Sequence, residues 1–284
     1  RQTRPSGEPL RFGVTPYLPP KVLRRELQPL LRYLEGQLQR PIELVVKSDY
    51  KSAVEALLGG RVDLADLPAY PFILARQREP ALRLLATPVT HRTRTYESYL
   101  LVRRDAGLRR MAQLRGRRIC FVDRRSTSGY LMARVMVRRA GFDPDRFFAS
   151  QRFSGNHLQA LRDLVAGHCD AAAVTSQAYL TARDHNIAVA TVRILKISDP
   201  LPHGVYCATP RLDPKLAYKL RKALLELDMH KVSGATLLSK VLPVSGFRPV
   251  QEEAFSLLAR ELAASKQPTS RGVAPTSRPR GESP

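Results

Sequence analysis

One segment specifies the architecture most clearly, RICFVDRRSTSGY (Arg118–Tyr130), because in it an apolar strand runs into a polar turn and then into a helix. The turn, STSG (Ser126–Gly129), offers three hydroxyls and the free backbone N–H groups of a helix start. Such a helix N-terminus can bind a phosphate-like anion without any catalytic machinery. For the motif taken alone, a simpler interpretation is that Ser126 or Ser128 only caps the helix.

On both sides of this segment, short apolar runs typical of buried strands alternate with segments of helical period. The alternation predicts an α/β fold of two similar halves, with a parallel sheet covered by helices and a ligand cleft between the halves. The predicted strands are Leu10–Val14, Ile42–Val46, Val62–Ala65, Leu82–Ala86, Glu97–Arg103, Arg118–Val122, Gln151–Phe153, Asp170–Val174, Ala190–Ile197 and Gly204–Thr209. The predicted helices are Val22–Leu38, Ser52–Leu58, Pro68–Arg76, Ser128–Ala140, Asn156–Ala166, Ser176–Arg183, Pro214–Asp228, Ser233–Val241 and Val250–Ala263.

The order of these elements divides the chain into two lobes and a tail. We expect residues 9–102 plus 205–264 to form a first lobe and residues 103–204 to form a second lobe. Only helices are predicted after Thr209, and they can pack back on the first lobe. Residues 265–284 are rich in Pro, Ser, Gly and Arg with almost no large apolar side chain, which predicts a disordered tail.

A second junction between a strand and a helix repeats the arrangement. In RFSGNHLQAL (Arg152–Leu161), His157 lies at the helix start, where it can donate an N–H to an anion or act as an acid or base. In the first half, Asp49 is predicted to cap a helix that begins near Tyr50, and Tyr96 lies near the crossing between the halves. These tyrosines can wall a small ligand and donate one O–H each. The simpler alternatives are a surface position for His157 and ordinary packing for the tyrosines.

The composition is that of a globular chain with a large excess of basic charge. In 284 residues, 47 Lys and Arg stand against 25 Asp and Glu, which gives a formal net charge of +22. Such an excess is typical of proteins that bind the phosphate backbone of nucleic acids. Here the basic residues are spread along the chain as pairs, such as Arg24-Arg25 and Arg138-Arg139, with no stripe of interleaved aromatics and no DNA-binding motif. We therefore expect a diffuse positive field that favours anions, and no nucleic-acid partner.

The sequence lacks the motifs of common enzymes and metal sites. Without a GxSxG elbow, a P-loop or an HExxH motif, we expect a protein that is not an enzyme and has no cofactor or metal. Cys120, Cys169 and Cys207 are far apart, and each is interpreted as a small buried hydrophobe, although one disulfide with one thiol left over stays open. No apolar stretch reaches the roughly 18 residues of a membrane span.

Four motifs of the second half occur in a characteristic order and spacing: STSGYL (Ser126–Leu131), the pair Phe147-Phe148, FSGNH (Phe153–His157) and GHCDAAAV (Gly167–Val174). Together they resemble the phosphate/phosphite/phosphonate-binding proteins of ABC importers, the PhnD-like periplasmic binding proteins. The upstream segments SDYKSAVEALLGGRVDLADL and TYESYLLVRRDAGLRRMAQLRG also resemble that family. The resemblance covers roughly Leu10–Thr209. Each motif alone is weak evidence for the family, whereas the whole set is specific.

The resemblance implies a type II periplasmic-binding fold, in which two lobes close on a ligand about a hinge. It implies a solute-binding protein that captures a small phosphorus oxyanion (phosphonate, phosphite or phosphate) in the periplasm and delivers it to an ABC importer permease. Carried over onto the matching positions of this sequence, the ligand contacts are Ser126, Thr127, Ser128, His157, Tyr50 and Tyr96.

Two positions depart from the family pattern. Family members that take aminoalkyl phosphonates place an acidic residue near the second crossing, where this chain has Gly204, with Asp199 nearby in sequence. A 2-aminoethyl ligand is therefore disfavoured. Arg124 and Arg125 precede STSG where the family has a less charged turn, and they either add to the field at the site or decorate its rim.

A ligand-sensing role for the same fold stays open beside transport. The chain opens with Arg1 rather than Met, so we expect that an upstream segment such as a secretory signal peptide has been removed. A signal peptide or lipid anchor there would support transport, and a transmembrane helix would support sensing. We also expect a monomer.

Overall fold

The described part of the chain forms two large β-sheets with helices packed on their faces, together with one short two-stranded sheet. A computed structural model of the chain describes residues 8–90, 95–228, 230–231, 237–238 and 244–265. Among these residues the strands are β1 (Leu10–Val14), β2 (Ile42–Val46), β3 (Leu64–Leu67), β4 (Arg83–Thr90), β5 (Thr95–Tyr96), β6 (Ser98–Arg103), β7 (Arg118–Phe121), β8 (Ser150–Phe153), β9 (Ala171–Thr175), β10 (Val192–Ile197), β11 (Leu201–Pro202), β12 (Val205–Ala208) and β13 (Val244–Arg248). The helices are α1 (Pro20–Leu38), α2 (Tyr50–Leu58), α3 (Ala69–Arg78), α4 (Met132–Arg139), α5 (His157–Val165), α6 (Ser176–Leu180), α7 (Pro214–Glu226) and α8 (Ser256–Ser265).

The two sheets define two lobes. In the part of the chain that the structure describes, the first sheet has the order β13-β4-β12-β3-β1-β2 and the second has the order β10-β6-β9-β7-β8. Strand β1 is parallel to β2 and β3, and β7 is parallel to β8 and β9. We call each sheet with its helices the first lobe and the second lobe. The chain crosses between them twice, and the short antiparallel pair β5–β11 belongs to these crossings.

Helix α1 is held on the first sheet by an apolar stripe that its sequence spacing predicts. Every residue of that stripe is buried: Leu23, Leu27, Leu30, Leu31, Leu34 and Leu38. They share one apolar cluster with Phe12 of β1 and Leu220 of α7. Burial of each leucine side chain contributes roughly 1.5 to 3 kcal/mol, so tertiary packing rather than helix propensity positions α1.

A second apolar cluster continues from one lobe into the other. It joins Leu57 and Phe72 of the first lobe to Phe121 and Met132 of the second lobe. Helix α8 strengthens the link, because its Glu261 accepts a hydrogen bond from Arg139 of α4 at 2.8 Å. The helical end of the chain therefore contacts both lobes.

Strand β13 corrects the prediction that only helices follow Thr209. Its residues pair antiparallel with β4, at the edge of the first sheet. The run VSGFR is short and contains a glycine, so only the partner strand identifies it as a strand. The predicted helix Ser176–Arg183 is also shorter than expected, because α6 ends at Leu180 and a separate 3₁₀ turn follows.

The strand pairing of the second sheet also places the first crossing between the lobes earlier in the chain than predicted. The predicted lobe boundary after residue 102 cuts through β6, yet all of β6 lies in the second sheet, where it pairs with β9 and β10. The crossing therefore lies before Ser98. The predicted helix Ser233–Val241, apart from residues 237–238, and the predicted tail 265–284, apart from residue 265, lie outside the described residues.

All three cysteines are buried, and two of them are joined, which is the alternative of one disulfide with one thiol left over. Cys120 of β7 and Cys169, just before β9, form a disulfide with their Cα atoms 5.8 Å apart. The pairing of β7 with β9 brings the two residues together. Cys207 of β12 is a buried free thiol.

Candidate functional site

A cleft of about 800 Å³ lies between the two lobes. It is lined from both lobes and from the crossings, where ligands of open α/β sheets are expected. All the residues that the sequence predicts as ligand contacts line this cleft: Tyr50, Tyr96, Ser126, Thr127, Ser128 and His157. The structure thus brings together side chains from both halves of the chain.

The hydroxyl turn lies between β7 and α4. Ser126 caps it, since its Oγ accepts a hydrogen bond from the backbone N–H of Gly129 at 3.0 Å. The turn then continues as a π-helical turn, Thr127–Leu131, one residue before the predicted helix start. Such π turns are frequent at functional sites. Ser126 is therefore both a helix cap and a residue of the cleft, and neither interpretation of this motif excludes the other.

Gly129 allows this turn to sit directly on the end of β7. A Cβ at position 129 would lie 2.4 Å from Cγ2 of Val122, a distance that real side chains do not reach. The Gly129 carbonyl oxygen accepts a hydrogen bond from the N–H of Val122 at 3.1 Å. A side chain at this position would displace the turn together with its hydroxyls.

Thr127 connects the walls of the cleft. Its Oγ1 accepts a hydrogen bond at 2.9 Å from the backbone N–H of Tyr70, in the first lobe. Close by, Ser98 Oγ donates to the carbonyl oxygen of Ser128 at 2.6 Å. Because the Thr127 hydroxyl accepts from the protein, its own hydrogen is free to donate to a ligand.

His157 is the first residue of α5 and is buried, which contradicts the alternative of a surface position. The helix is capped by Asn156, whose side-chain oxygen accepts from the N–H of Gln159 at 2.9 Å. Nδ1 of His157 accepts from the backbone N–H of Thr175 at 3.1 Å. The ring hydrogen therefore lies on Nε2. Since burial lowers the pKa of His157 to about 3, the ring is a neutral N–H donor at physiological pH.

Tyr50 contributes a phenol group from the first lobe. It begins α2 behind the predicted cap Asp49, whose Oδ1 accepts from the N–H of Ser52 at 2.7 Å. The Tyr50 hydroxyl is buried near Ser126 but makes no hydrogen bond of ordinary geometry. Burial holds the pKa of Tyr50 well above its usual range, so the group is a neutral donor, and no described residue accepts a hydrogen bond of ordinary geometry from it.

Tyr96 contributes a second phenol group from the first crossing. Its hydroxyl lies near the side chains of Ser128 and Thr127 and lines the cleft. Its ring stacks on that of His203, with centroids 5.2 Å apart. Burial raises the pKa of Tyr96 to about 12, so this group is also a neutral donor.

Sequence reasoning missed a buried acidic group in the cleft, Asp66. It lies in β3, lines the cleft and is only 8% exposed. Burial raises the pKa of Asp66 to about 7. The signal was present in VDLADL, because a carboxylate near the carboxyl end of a buried parallel strand lies at the sheet edge where ligands bind.

A polar bridge at another part of the cleft was also missed. Gln177 of α6 donates from Nε2 to Thr90 Oγ1 at 3.3 Å, which joins the second lobe to the first. Thr90 Oγ1 also lies 2.9 Å from Nε2 of His203, on the second crossing. No local sequence motif marks these residues, since only the packing of the two lobes makes them neighbours.

The second crossing brings no carboxylate to the cleft within the described residues. Gly204 lines it, and a Cβ there would lie 2.3 Å from the carbonyl oxygen of Leu67, so the backbone leaves no room for a side chain. Asp199 is not among the lining residues and instead pairs with Arg139 at 2.5 Å.

The groups that face the cleft are mostly uncharged. Among the described residues, Arg25 is the one Lys or Arg that lines it, and its guanidinium donates to the Glu26 carboxylate at 2.8 Å. Arg124 and Arg125 do not line it; Arg124 lies over the ring of Phe153 at 4.5 Å. The excess basic charge of the chain is therefore not concentrated in the cleft walls.

Other classes of site receive no support from the described ranges. No group of three or more His, Cys, Asp or Glu side chains in them is placed to hold a metal ion. No helix in the same ranges is long and apolar enough to cross a membrane. What the cleft offers a ligand is a set of buried, neutral hydrogen-bond donors.

Comparison with known proteins gives a consistent picture. A family model described as "ABC transporter, phosphonate, periplasmic substrate-binding protein" matches residues 12–255. The chain is similar to the phosphate-import protein PhnD of Mycolicibacterium smegmatis, with 28% identity over 210 residues. The match covers 70% of this chain and spans 65% of the length of that curated relative.

Solved structures show the same fold. PhnD1 from Prochlorococcus marinus, in complex with methylphosphonate, superposes with a TM-score of 0.81 at 19% identity, over 90% of this chain and 97% of that chain. A binding protein component of an ABC phosphonate transporter from Pseudomonas aeruginosa gives a TM-score of 0.83 at 16% identity, over 92% of this chain and 87% of that chain. The expected two-lobed, type II periplasmic-binding fold is confirmed.

Proposed function

This chain belongs to the family of periplasmic phosphonate-binding proteins of ABC transporters, and we propose that it captures a small phosphorus oxyanion in the cleft between its lobes. The ligand class is phosphonate, phosphite or phosphate. The protein binds and releases the ligand without changing it, and it delivers the ligand to an importer permease in the periplasm. Catalysis has no part in this proposal.

The observation that carries the proposal is a set of buried, neutral hydrogen-bond donors from both lobes that line one cleft. Tyr50 supplies a phenol O–H with no hydrogen-bond partner among the described residues, and His157 supplies an Nε2–H because its Nδ1 is already an acceptor. The Thr127 hydroxyl has its hydrogen left to donate. A phosphoryl group has several acceptor oxygens, and hydrogen bonds to an anion are roughly twice as strong as those between neutral groups.

Neutral donors also suit a protein that must release its ligand. A cluster of Arg and Lys would attract many anions through long-range charge, whereas fixed O–H and N–H groups select by geometry. The described lining of this cleft matches the second design, since its one Arg already pairs with a neighbouring Glu. The diffuse positive charge of the chain, formally +22, then serves to attract anions toward the molecule.

The size of the ligand follows from the relatives and from the crossing. One structural neighbour holds methylphosphonate, and the curated relative is named for phosphate import. Gly204 leaves no side chain at the second crossing, and Asp199 is paired with Arg139. We therefore propose a small ligand without an amine, in preference to a 2-aminoethyl phosphonate.

The proposal is tested by calorimetric titration with methylphosphonate, phosphite, phosphate and 2-aminoethylphosphonate, with sulfate as the non-phosphorus control. At least one phosphorus oxyanion is expected to bind. Thr127→Val removes one hydroxyl from the site at nearly constant volume, and we expect it to weaken binding by about 10- to 100-fold.

Matched variants make this result specific. Thr127→Ser keeps the hydroxyl and is expected to keep most of the affinity. Thr191→Val removes an exposed threonine hydroxyl that bonds only to the carbonyl oxygen of Ala188 at 2.8 Å, and it should leave binding unchanged. The proposed site is wrong if no oxyanion of the panel binds, or if Thr127→Val binds like the wild type.

A further inference from the structure

The first-lobe wall of the cleft contains an acid that the proposed function does not use. Asp66 is 8% exposed, lines the cleft and makes no side-chain hydrogen bond or ion pair with any described residue. A buried ionised carboxylate without a partner is strongly unfavourable. In a site that binds an anion, it would also repel the ligand.

The surroundings of Asp66 in the described chain supply no positive charge. The titratable groups that face it are Tyr17, Tyr50, Tyr206 and Cys207. Each of these groups is neutral, because burial raises its pKa. The carboxyl therefore has hydroxyls, a thiol and the open cleft around it.

Charged side chains on the elements packed against β3 are engaged elsewhere. Those elements are β1, β12, α2 and α3. Their ion pairs are Arg11–Asp63, Arg76–Glu252 and Arg78–Glu55. Lys51 of α2 lines a separate hollow. Among the described residues, no neighbour can therefore neutralise an ionised Asp66, and that role falls to a ligand or a proton.

We infer that Asp66 and a bound phosphorus oxyanion share one proton, with Asp66 in its acid form donating its O–H to a ligand oxygen. Asp66 then becomes one more neutral donor, like Tyr50, Tyr96 and His157. A dianionic ligand favours this acid form further, because a nearby negative charge raises the pKa of a carboxyl group. This inference rests on the proposed function, because it requires an oxyanion in the cleft.

The proton balance makes the inference measurable. At about pH 9, free Asp66 and a free phosphonate are both ionised, so the complex must take one proton from the solution as it forms. No covalent bond other than the shared O–H is made or broken. The apparent affinity of the wild type should then fall by about tenfold for each pH unit in this alkaline range.

The experiment is calorimetric titration with methylphosphonate at about pH 9 in buffers of different ionisation enthalpy, which reports the number of protons taken up for each ligand bound. The wild type should take up about one proton. Asp66→Asn should take up none, and its affinity should be nearly independent of alkaline pH. Asp184→Asn removes an exposed carboxylate from the rim of the same cleft and should behave like the wild type.

Three outcomes overturn the inference. The first is methylphosphonate binding by the wild type with no proton uptake, a measurement that stands even if Asp66→Asn does not fold. The second is equal proton uptake in Asp66→Asn. The third is a preference for 2-aminoethylphosphonate over ethylphosphonate that Asp66→Asn abolishes, since Asp66 would then be the ionised partner of an ammonium group. If the wild type binds none of the oxyanions at any pH, the proposed function fails, and the shared proton with it.

Discussion

The two walls of the cleft are built in different ways. The second-lobe wall takes its hydroxyls from consecutive residues, Ser126–Ser128, and the backbone of one turn holds them in place. The first-lobe wall takes Tyr50 from α2, Asp66 from β3 and Tyr206 from β12. A local motif builds one wall, and the order of strands in a sheet builds the other.

The walls also differ in how well their polar groups are satisfied. In the second lobe, Ser126 and His157 already bond to backbone N–H groups. In the first lobe, the Tyr50 hydroxyl is buried without a partner, and the Asp66 carboxyl has neither hydrogen bond nor ion pair among the described residues. An unsatisfied buried polar group destabilises the free protein and is stabilised when a ligand arrives. The second lobe therefore presents polar groups that are already organised by hydrogen bonds, while the first lobe holds polar groups that a bound ligand would satisfy.

The largest expected effect concerns a disulfide bond. Among the described residues, only the second lobe contains one. The disulfide Cys120–Cys169 closes a loop with a sequence separation of 49. Replacing both cysteines by alanine should lower the free energy of unfolding of the second lobe by about 4 kcal/mol, because the unfolded chain regains the entropy that the loop removes. Chemical denaturation of wild type and double variant measures this loss.

Reductant supplies the matched control for that measurement. The wild type should lose stability on reduction, whereas Cys120→Ala/Cys169→Ala should not respond. Cys207→Ala leaves the disulfide intact and should still respond to reductant like the wild type. Equal stability of the oxidised and reduced wild type would contradict the prediction.

A smaller effect is an opposite dependence of stability on pH for the two walls. His157 has a pKa of about 3 in the fold against 6.5 for an unperturbed histidine, so the unfolded state binds more protons and stability falls as pH drops from 6.5 toward 3. Asp66 has a pKa of about 7 in the fold against 3.8 for an unperturbed aspartate, so the folded state holds the extra proton. Its stabilising contribution is present below pH 3.8 and is lost as pH rises through about 7.

Urea denaturation across this pH range tests the contrast. His157→Gln should reduce the loss of unfolding free energy toward acid pH by about 2 to 4 kcal/mol. Asp66→Asn should reduce the loss of unfolding free energy toward neutral pH by about the same amount. The contrast between the walls breaks down if both variants change the slope of stability with pH in the same direction.

The smallest expected effect separates the two phenols of the cleft. Tyr50→Phe removes a buried hydroxyl that has no hydrogen-bond partner among the described residues, so the ligand-free protein should be as stable as the wild type or up to about 1 kcal/mol more stable. Tyr96→Phe removes a hydroxyl that lies near the side chains of Ser128 and Thr127 and should lose about 1 kcal/mol. Both variants should bind methylphosphonate about tenfold more weakly. Thermal denaturation without ligand distinguishes them, and equal destabilisation would show that Tyr50 is satisfied within the protein.

Most elements of the fold could be predicted from the sequence. The leucine spacing of α1 and the apolar runs of β1, β2 and β7 are local patterns, and each corresponds to an element of the structure. Strand β13 could not be predicted, since VSGFR becomes a strand only beside β4. The first crossing was misplaced for the same reason, because the partners of β6 are strands far along the chain.

The candidate site also contains residues that local sequence patterns indicate and residues that only tertiary contacts bring to the cleft. Ser126, Thr127, Ser128 and His157 lie in motifs at the starts of helices, where the sequence alone indicates free donors. Asp66 directly follows the predicted strand Val62–Ala65, so its place near the cleft could have been predicted, whereas its burial without a charged partner emerges only from the sheet.

The amino-acid sequence by itself specified the alternation of strands and helices, the two junctions with donors, and the family to which these motifs point. Those features depend on neighbours within a few residues, and local spacing is enough to reveal them. The tertiary structure alone established the disulfide, the partnerless Tyr50 hydroxyl and the uncompensated Asp66 carboxyl. Burial and partnership depend on residues distant in the chain, and it is these two properties that control the protonation of groups in the cleft.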